Sequence, residues 1–266
     1  LGRAEVRAVF IQLLAIALSL EAVISGIAEE KKKEEPKPQP PILAVSLPLG
    51  VVPGTTNSVT LRGQNLTNVT AIHFDDAKFE SATRIKSRDK AKVPEKADAK
   101  KIGDTQIELE LCLPADTRPG PISYYVENAD GLSATNQLLV VDAAVLVKEK
   151  EPNGGFKSAQ RIQLPATITG SISDGMDVDV FRIEARGGQR LRAEIFAARH
   201  GSALDATLTL YDARGHILAT ADDTKESRDA LLEFMPPSDG FYFLAVTDAH
   251  EKAGPTHVYL LVVRQE

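Results

Sequence analysis

From Ile42 to Val263 the chain is a succession of short β-rich runs broken by turn residues, with hardly a helical period anywhere. Strands of this length can bury apolar side chains only by pairing and stacking, which points to antiparallel sandwiches. Alternation is clearest in Gln106–Leu113, where Ile107, Leu109, Leu111 and Leu113 share one face and Glu108, Glu110 and Cys112 the other. Further runs are expected at Ile42–Leu47, Ser58–Arg62, Val69–Phe74, Ile122–Glu127 and Gln137–Val141. A second series follows VLVKEKE at 145–151, from Ala166–Ile172 to Phe241–Val246 and Val258–Val263, eight antiparallel strands in all. Glycine-bearing turns such as Gly187-Gly188 and Asp212-Ala213-Arg214-Gly215 separate them. The fold class expected is all-β, two tandem β-sandwiches over 42–145 and 146–266, with 266 residues sufficient for two cores.

Composition excludes several trades. A single cysteine, Cys112, precludes an intrachain disulfide and argues against a thiolate metal site. The net charge of −6 speaks against a nucleic-acid partner, since phosphate binding needs a basic face. Tryptophan is absent and aromatic residues are 5% of the chain, so stacking platforms for bases or sugars are scarce. The segment Arg84–Lys101, with eight basic and three acidic residues, reads as a solvated loop insertion.

Residues 1–28 carry the parts of a secretory signal peptide, with a signal helix: Arg3 and Arg7, the apolar stretch Val9–Leu20, and the small residues Gly26 and Ala28. Gln12 and Glu21 interrupt the stretch, so membrane attachment is expected only through an uncleaved signal segment. Residues 29–41, EEKKKEEPKPQPP, form a charged, proline-rich, disordered linker with nothing to bury.

The second half resembles the bacterial pre-peptidase C-terminal (PPC) domain. The resemblance lies in Glu149-Lys150-Glu151-Pro152-Asn153, Ile168-Thr169-Gly170-Ser171-Ile172, Asp177-Val178-Asp179-Val180-Phe181, Gly201-Ser202-Ala203-Leu204-Asp205, Asp222-Asp223 and Asp239-Gly240-Phe241-Tyr242, in matching order and spacing. It implies a jelly-roll-like sandwich, a non-catalytic appendage of secreted peptidases and other exported proteins. The first half resembles an immunoglobulin-like module of the IPT/TIG kind, through Pro48-Leu49-Gly50-Val51-Val52-Pro53-Gly54, Leu61-Arg62-Gly63-Gln64-Asn65-Leu66, Gly120 and Asn128-Ala129-Asp130-Gly131-Leu132-Ser133.

An acidic constellation joins the two halves. Glu149, Glu151 and Asn153 precede the second sandwich, and Asp177 and Asp179 sit at the mouth of its second expected strand. Alternate residues of an extended chain present side chains to one side, so each group offers a short row of oxygens to a hard cation. The PPC resemblance implies that these five hold Ca²⁺, although Gly154-Gly155 follows where another oxygen-bearing side chain could stand. The competing reading makes them turn formers and a solvated linker. Asp205, Asp222, Asp223 and Asp229 are read as aspartates that satisfy backbone N–H groups in turns.

Periodicity also leaves two strands apolar on both faces. Phe241 and Phe243 oppose Tyr242, Leu244 and Val246; Val258, Leu260 and Val262 oppose Tyr259, Leu261 and Val263. One face of each must be covered by the other domain, a loop or a partner.

The usual catalytic signatures are missing: no Gly-x-Ser-x-Gly, His-Glu-x-x-His or phosphate-binding loop occurs, and the five histidines are scattered, which suits surface or turn positions. The expectation is an exported, non-enzymatic protein that binds or scaffolds an extracellular or cell-envelope protein or polymer. The alternative is the accessory part of a secreted peptidase or other hydrolase whose catalytic domain lies elsewhere.

Overall fold

Alternating burial along the strands sets the architecture. The computed structural model describes residues 39–95 and 97–266. The signal peptide expected at 1–28 and nearly all of the linker expected at 29–41 lie outside the described residues.

The first sandwich contains β1 (Ile42–Leu47), β2 (Gly50–Val51), β3 (Asn57–Gln64), β4 (Ala71–Phe74), α1 (Lys78–Ser81), β5 (Thr83–Lys90), α2 (Ala99–Ile102), β6 (Thr105–Leu111), β7 (Gly120–Asn128), β8 (Gly131–Leu132) and β9 (Asn136–Val140). One sheet has the order β1-β3-β6-β5 and the other β2-β9-β7-β4, with β8 paired to β7. Apart from the short β2, this is the ABED and CFG strand order of an immunoglobulin fold. Leu61, Ile107, Leu109, Tyr124, Val126 and Leu138 fill the space between the sheets.

The second sandwich contains β10 (Leu146–Lys148), β11 (Gln160–Ile162), β12 (Ala166–Ser171), β13 (Asp179–Ala185), β14 (Leu191–Phe196), β15 (Ala206–Tyr211), β16 (Ile217–Ala221), β17 (Leu231–Phe234), β18 (Gly240–Asp248) and β19 (Val258–Gln265). Its sheets have the orders β10-β12-β19-β14-β17 and β11-β13-β18-β15-β16. Phe181, Ile183, Ile195, Leu208, Tyr242, Leu244 and Leu261 belong to the shared core.

Three expectations need correction. The basic segment 84–101 is not wholly a loop: Thr83–Lys90 forms β5, an edge strand against β6. Its alternation turns Ile85 toward the core while Arg84, Lys86 and Arg88 face water, and charges on an edge also discourage pairing with another chain. The second sandwich is not purely antiparallel, because β10–β12 and β11–β13 pair in parallel at one rim. His200 and His257, expected at surface or turn positions, do sit in turns, donating from N to Ala197 O and Gly254 O, but are buried rather than exposed. Burial lowers the pKa of both imidazoles by disfavouring their charged forms.

The doubly apolar strands are covered in two ways. On β19, Leu260 packs with Val45, Leu49 and Val141 of the first sandwich, with Val258 against the same cluster. Gly50 allows that approach, since a Cβ there would come within 2.9 Å of Val141 Cγ2 and 3.0 Å of Leu260 Cδ1. Val262, farther along the same face, is only partly buried. On β18, Phe243 lies under Phe156 at a ring separation of 4.7 Å, while Phe241 remains 41% exposed.

Candidate metal centre at the sandwich joint

The strand that leaves the first sandwich carries the first oxygens. Parallel pairing of β10 with β12 continues into the hydrogen bond from Glu149 N to Thr169 O, which fixes Glu149 beside β12. There Glu149 Oε2 accepts from Ser171 N at 2.9 Å, while Oε1 accepts from Asn153 Nδ2 at 3.0 Å. Two residues on, Glu151 Oε2 accepts from Asn153 N at 2.8 Å. Asn153 O accepts from Val180 N, which pins this turn to the start of β13 and places Asp179 beside it.

Glu149, Glu151 and Asp179 each offer a carboxylate oxygen, and the three atoms lie within 4.8 Å of one another. Asp179 and Asn153 are fully buried, at 0% exposure. One oxygen of each, Asp179 Oδ1 and Asn153 Oδ1, is buried without a hydrogen-bond partner. Neither Lys148 nor Lys150 brings an ammonium within 4.0 Å of a carboxylate, so no described cation balances the cluster. Buried oxygens left unpaired are costly, and three clustered carboxylates repel unless one is protonated or a cation sits among them.

The electrostatics express that conflict. Burial pushes the Asp179 carboxyl up to about 10, reinforced by the hydrogen bond and charge of Glu149 and opposed by a hydrogen bond from Tyr259. Burial also raises Glu151, with the charges of Asp177 and Glu149 adding to it. A divalent cation would supply the missing positive charge and occupy the unpaired oxygens. Carboxylate and amide oxygens are the donors that hard Ca²⁺ prefers, so the residues present fit that ion.

Of the five residues expected here, four meet. Glu149, Glu151 and Asp179 converge, and Asn153 bonds to two of them. Asp177 borders Glu151 but is not one of the three convergent carboxylates, its Oδ2 accepting from Ser173 N at 2.7 Å and Ser173 Oγ at 3.0 Å. Sequence reasoning missed Tyr259, which donates from its hydroxyl to Asp179 Oδ2 at 2.6 Å. The available signal was a phenol on the inward face of a strand, since a buried hydroxyl needs a partner. Gly170 makes room for this arrangement: a Cβ there would collide with the Tyr259 hydroxyl and lie 2.9 Å from Glu149 Oε2.

Among the other aspartates, Asp229 accepts backbone N–H groups of Ala197, Ala198 and Arg199. Asp205, Asp222 and Asp223 instead bring carboxylates within 4.8 Å of one another at the surface.

Residues 177–248, from Asp177 through β18, match the family model of the bacterial pre-peptidase C-terminal domain. The second sandwich carries a PPC domain. A probable subtilase-type serine protease of Deinococcus radiodurans is 30% identical over 141 residues, which are 51% of this chain and 19% of that protein. The chain therefore spans about a fifth of that relative. Among solved structures, the PPC domain of a Bacillus anthracis collagenase aligns over 44% of this chain and all of its own, with 21% identity and a TM-score of 0.34. The secreted serine protease VesC of Vibrio cholerae aligns over 82% of this chain and 49% of its own, with 12% identity and a TM-score of 0.28. Within the PPC domain Asp179 opens β13 and pairs with Val246 of β18, so the matched segment includes one wall of the acidic cluster. No helix among the described residues is long and apolar enough to cross a membrane.

Proposed function

We propose that this chain is an exported, non-catalytic binding or positioning module, an accessory part of a secreted peptidase, whose PPC domain is stiffened by Ca²⁺ at its junction with the first sandwich. The reading of the cation site rests on Asp179 Oδ1 and Asn153 Oδ1, two unpaired oxygens buried beside Glu149 and Glu151. Glu149, Glu151, Asn153 and Asp179 would hold the ion, and Asp177, whose Oδ2 accepts from Ser173, could join through Oδ1. Bound Ca²⁺ would supply charge balance and hold the segment 149–153 to β12 and β13. The accessory role is supported by the PPC match and by the protease relative, and export by the signal-like residues 1–28. The IPT/TIG-like reading of the first sandwich is supported by its turn residues at 48–54 and 128–133 and by its immunoglobulin strand order. Its partner would be an extracellular or cell-envelope protein or polymer.

Calorimetric titration with Ca²⁺ and melting with and without chelator test the cation site. Heat of binding and a higher melting temperature are expected; neither heat nor shift would overturn it. Hydrolysis of casein by the purified chain, lost on mutation of its own residues, would overturn the non-catalytic reading. Recovery of the expressed protein solely from the cytoplasm would overturn export.

A further inference from the structure

We propose that the PPC-bearing sandwich binds the C-terminal carboxylate of an apolar peptide in a groove at its parallel-stranded rim. The groove, about 720 Å³, lies where the short edge strands β10 and β11 leave the two sheets open, and its lining includes Val147, Arg161, Leu164, Arg182, Glu184 and Phe241. This inference goes beyond the calcium reading and does not depend on it.

Two arginines carry the case. Arg161 and Arg182 are direct register partners on β11 and β13, and the adjoining pair Ile162 and Ile183 points into the core. The guanidinium groups therefore share the outer face, where like charges on paired positions repel. Arg190, Arg192, Arg199 and Arg264 of the same sandwich each hold a carboxylate. Neither Arg161 nor Arg182 has one within 4.0 Å among the described residues. Arg182 is nonetheless held in place, its Cζ 3.8 Å from the centroid of the Phe241 ring and its Nε buried without an acceptor. Stacking pre-orients the fork, and an anion bridging the outward N–H groups of both arginines would remove the repulsion.

The rest of the lining selects among anions. Glu184, two residues along β13 and paired with Phe241, repels a polyanion such as a sulfated polymer but can accept an N–H. Val147, Leu164 and the exposed face of Phe241 offer apolar contact. A terminal residue with an apolar side chain meets all three demands: its carboxylate faces the arginines, its amide N–H faces Glu184 and its side chain rests on Phe241.

The test is calorimetric titration of the full chain with acetyl-Leu-Leu as the free acid, its C-terminal amide, acetyl-Leu-Glu α-amide, which keeps only a side-chain carboxylate, and inorganic phosphate. The free acid should bind at least about tenfold more tightly than the other three. Arg161→Gln, on an exposed side chain, should weaken the free acid about fivefold or more with the melting temperature unchanged. Equal affinity for acid and amide, tighter binding of the side-chain acid or of phosphate, no binding at all, or indifference to Arg161→Gln would each overturn the proposal.

Discussion

Tyr259 and Asp179 meet hydroxyl to carboxylate at 2.6 Å, tying β19 of one sheet to β13 of the other in the second sandwich. The same hydroxyl lies 3.2 Å from Glu149 Oε1, so one phenol orients two carboxylates of the candidate cation site. The pair thus belongs at once to packing and to chemistry, and several measurable consequences follow from it and from the joint beside it.

Without metal, the protein should lose stability as pH rises. The Asp179 carboxyl titrates near 10 when folded and near 3.8 when unfolded, so between those values the folded state holds the extra proton. Stability from this group is fully present below about pH 3.8 and declines through the folded pKa. Ca²⁺ displaces that proton and should bind more tightly at pH 8 than at pH 6. Ca²⁺ at about 100 times Kd should stabilise by about 2.7 kcal/mol, a rise in melting temperature of roughly 5–10 °C. Asp179→Asn should abolish the Ca²⁺ response and flatten the pH profile of the metal-free protein, both read by thermal melts in buffered Ca²⁺ or chelator.

Gly170→Ala should cost about 1–3 kcal/mol by overpacking, because its Cβ would strike Tyr259 and crowd Glu149. Urea denaturation gives the loss. The same variant should bind Ca²⁺ more weakly, because the displaced phenol no longer orients Asp179.

Leu260→Ala should cost about 2–5 kcal/mol and loosen the contact between sandwiches, since the side chain is 1% exposed and bridges Val45, Leu49 and Val141. Scanning calorimetry should resolve two transitions in the variant. A single unshifted transition would show that the cluster does not couple the two cores.

Asp229→Ala should cost about 3 kcal/mol, because Asp229 is 1% exposed, caps the Ala197, Ala198 and Arg199 N–H groups and receives Arg199 Nε at 2.6 Å. Asp229→Asn should lose less, since the amide oxygen still accepts. Chemical denaturation of both variants separates the cap from the charge.

What could be read in the residues themselves was local and periodic. Alternation in Gln106–Leu113, the glycine turns and the two doubly apolar strands announced an all-β chain with two cores, and the i, i+2 spacing of Glu149, Glu151 and Asn153 announced a row of oxygens. These signals are legible because strand period and turn chemistry are set by neighbouring residues. Only the tertiary structure decided which distant residues meet. It brought Asp179 and Tyr259 to Glu149, left Asp177 with Ser173, covered Leu260 with the first sandwich and Phe243 with Phe156, and set Arg161 beside Arg182. Strand order, register and burial are long-range properties, and desolvation, which drives the Asp179 carboxyl from the ordinary range to about 10, exists only once the chain has closed around it.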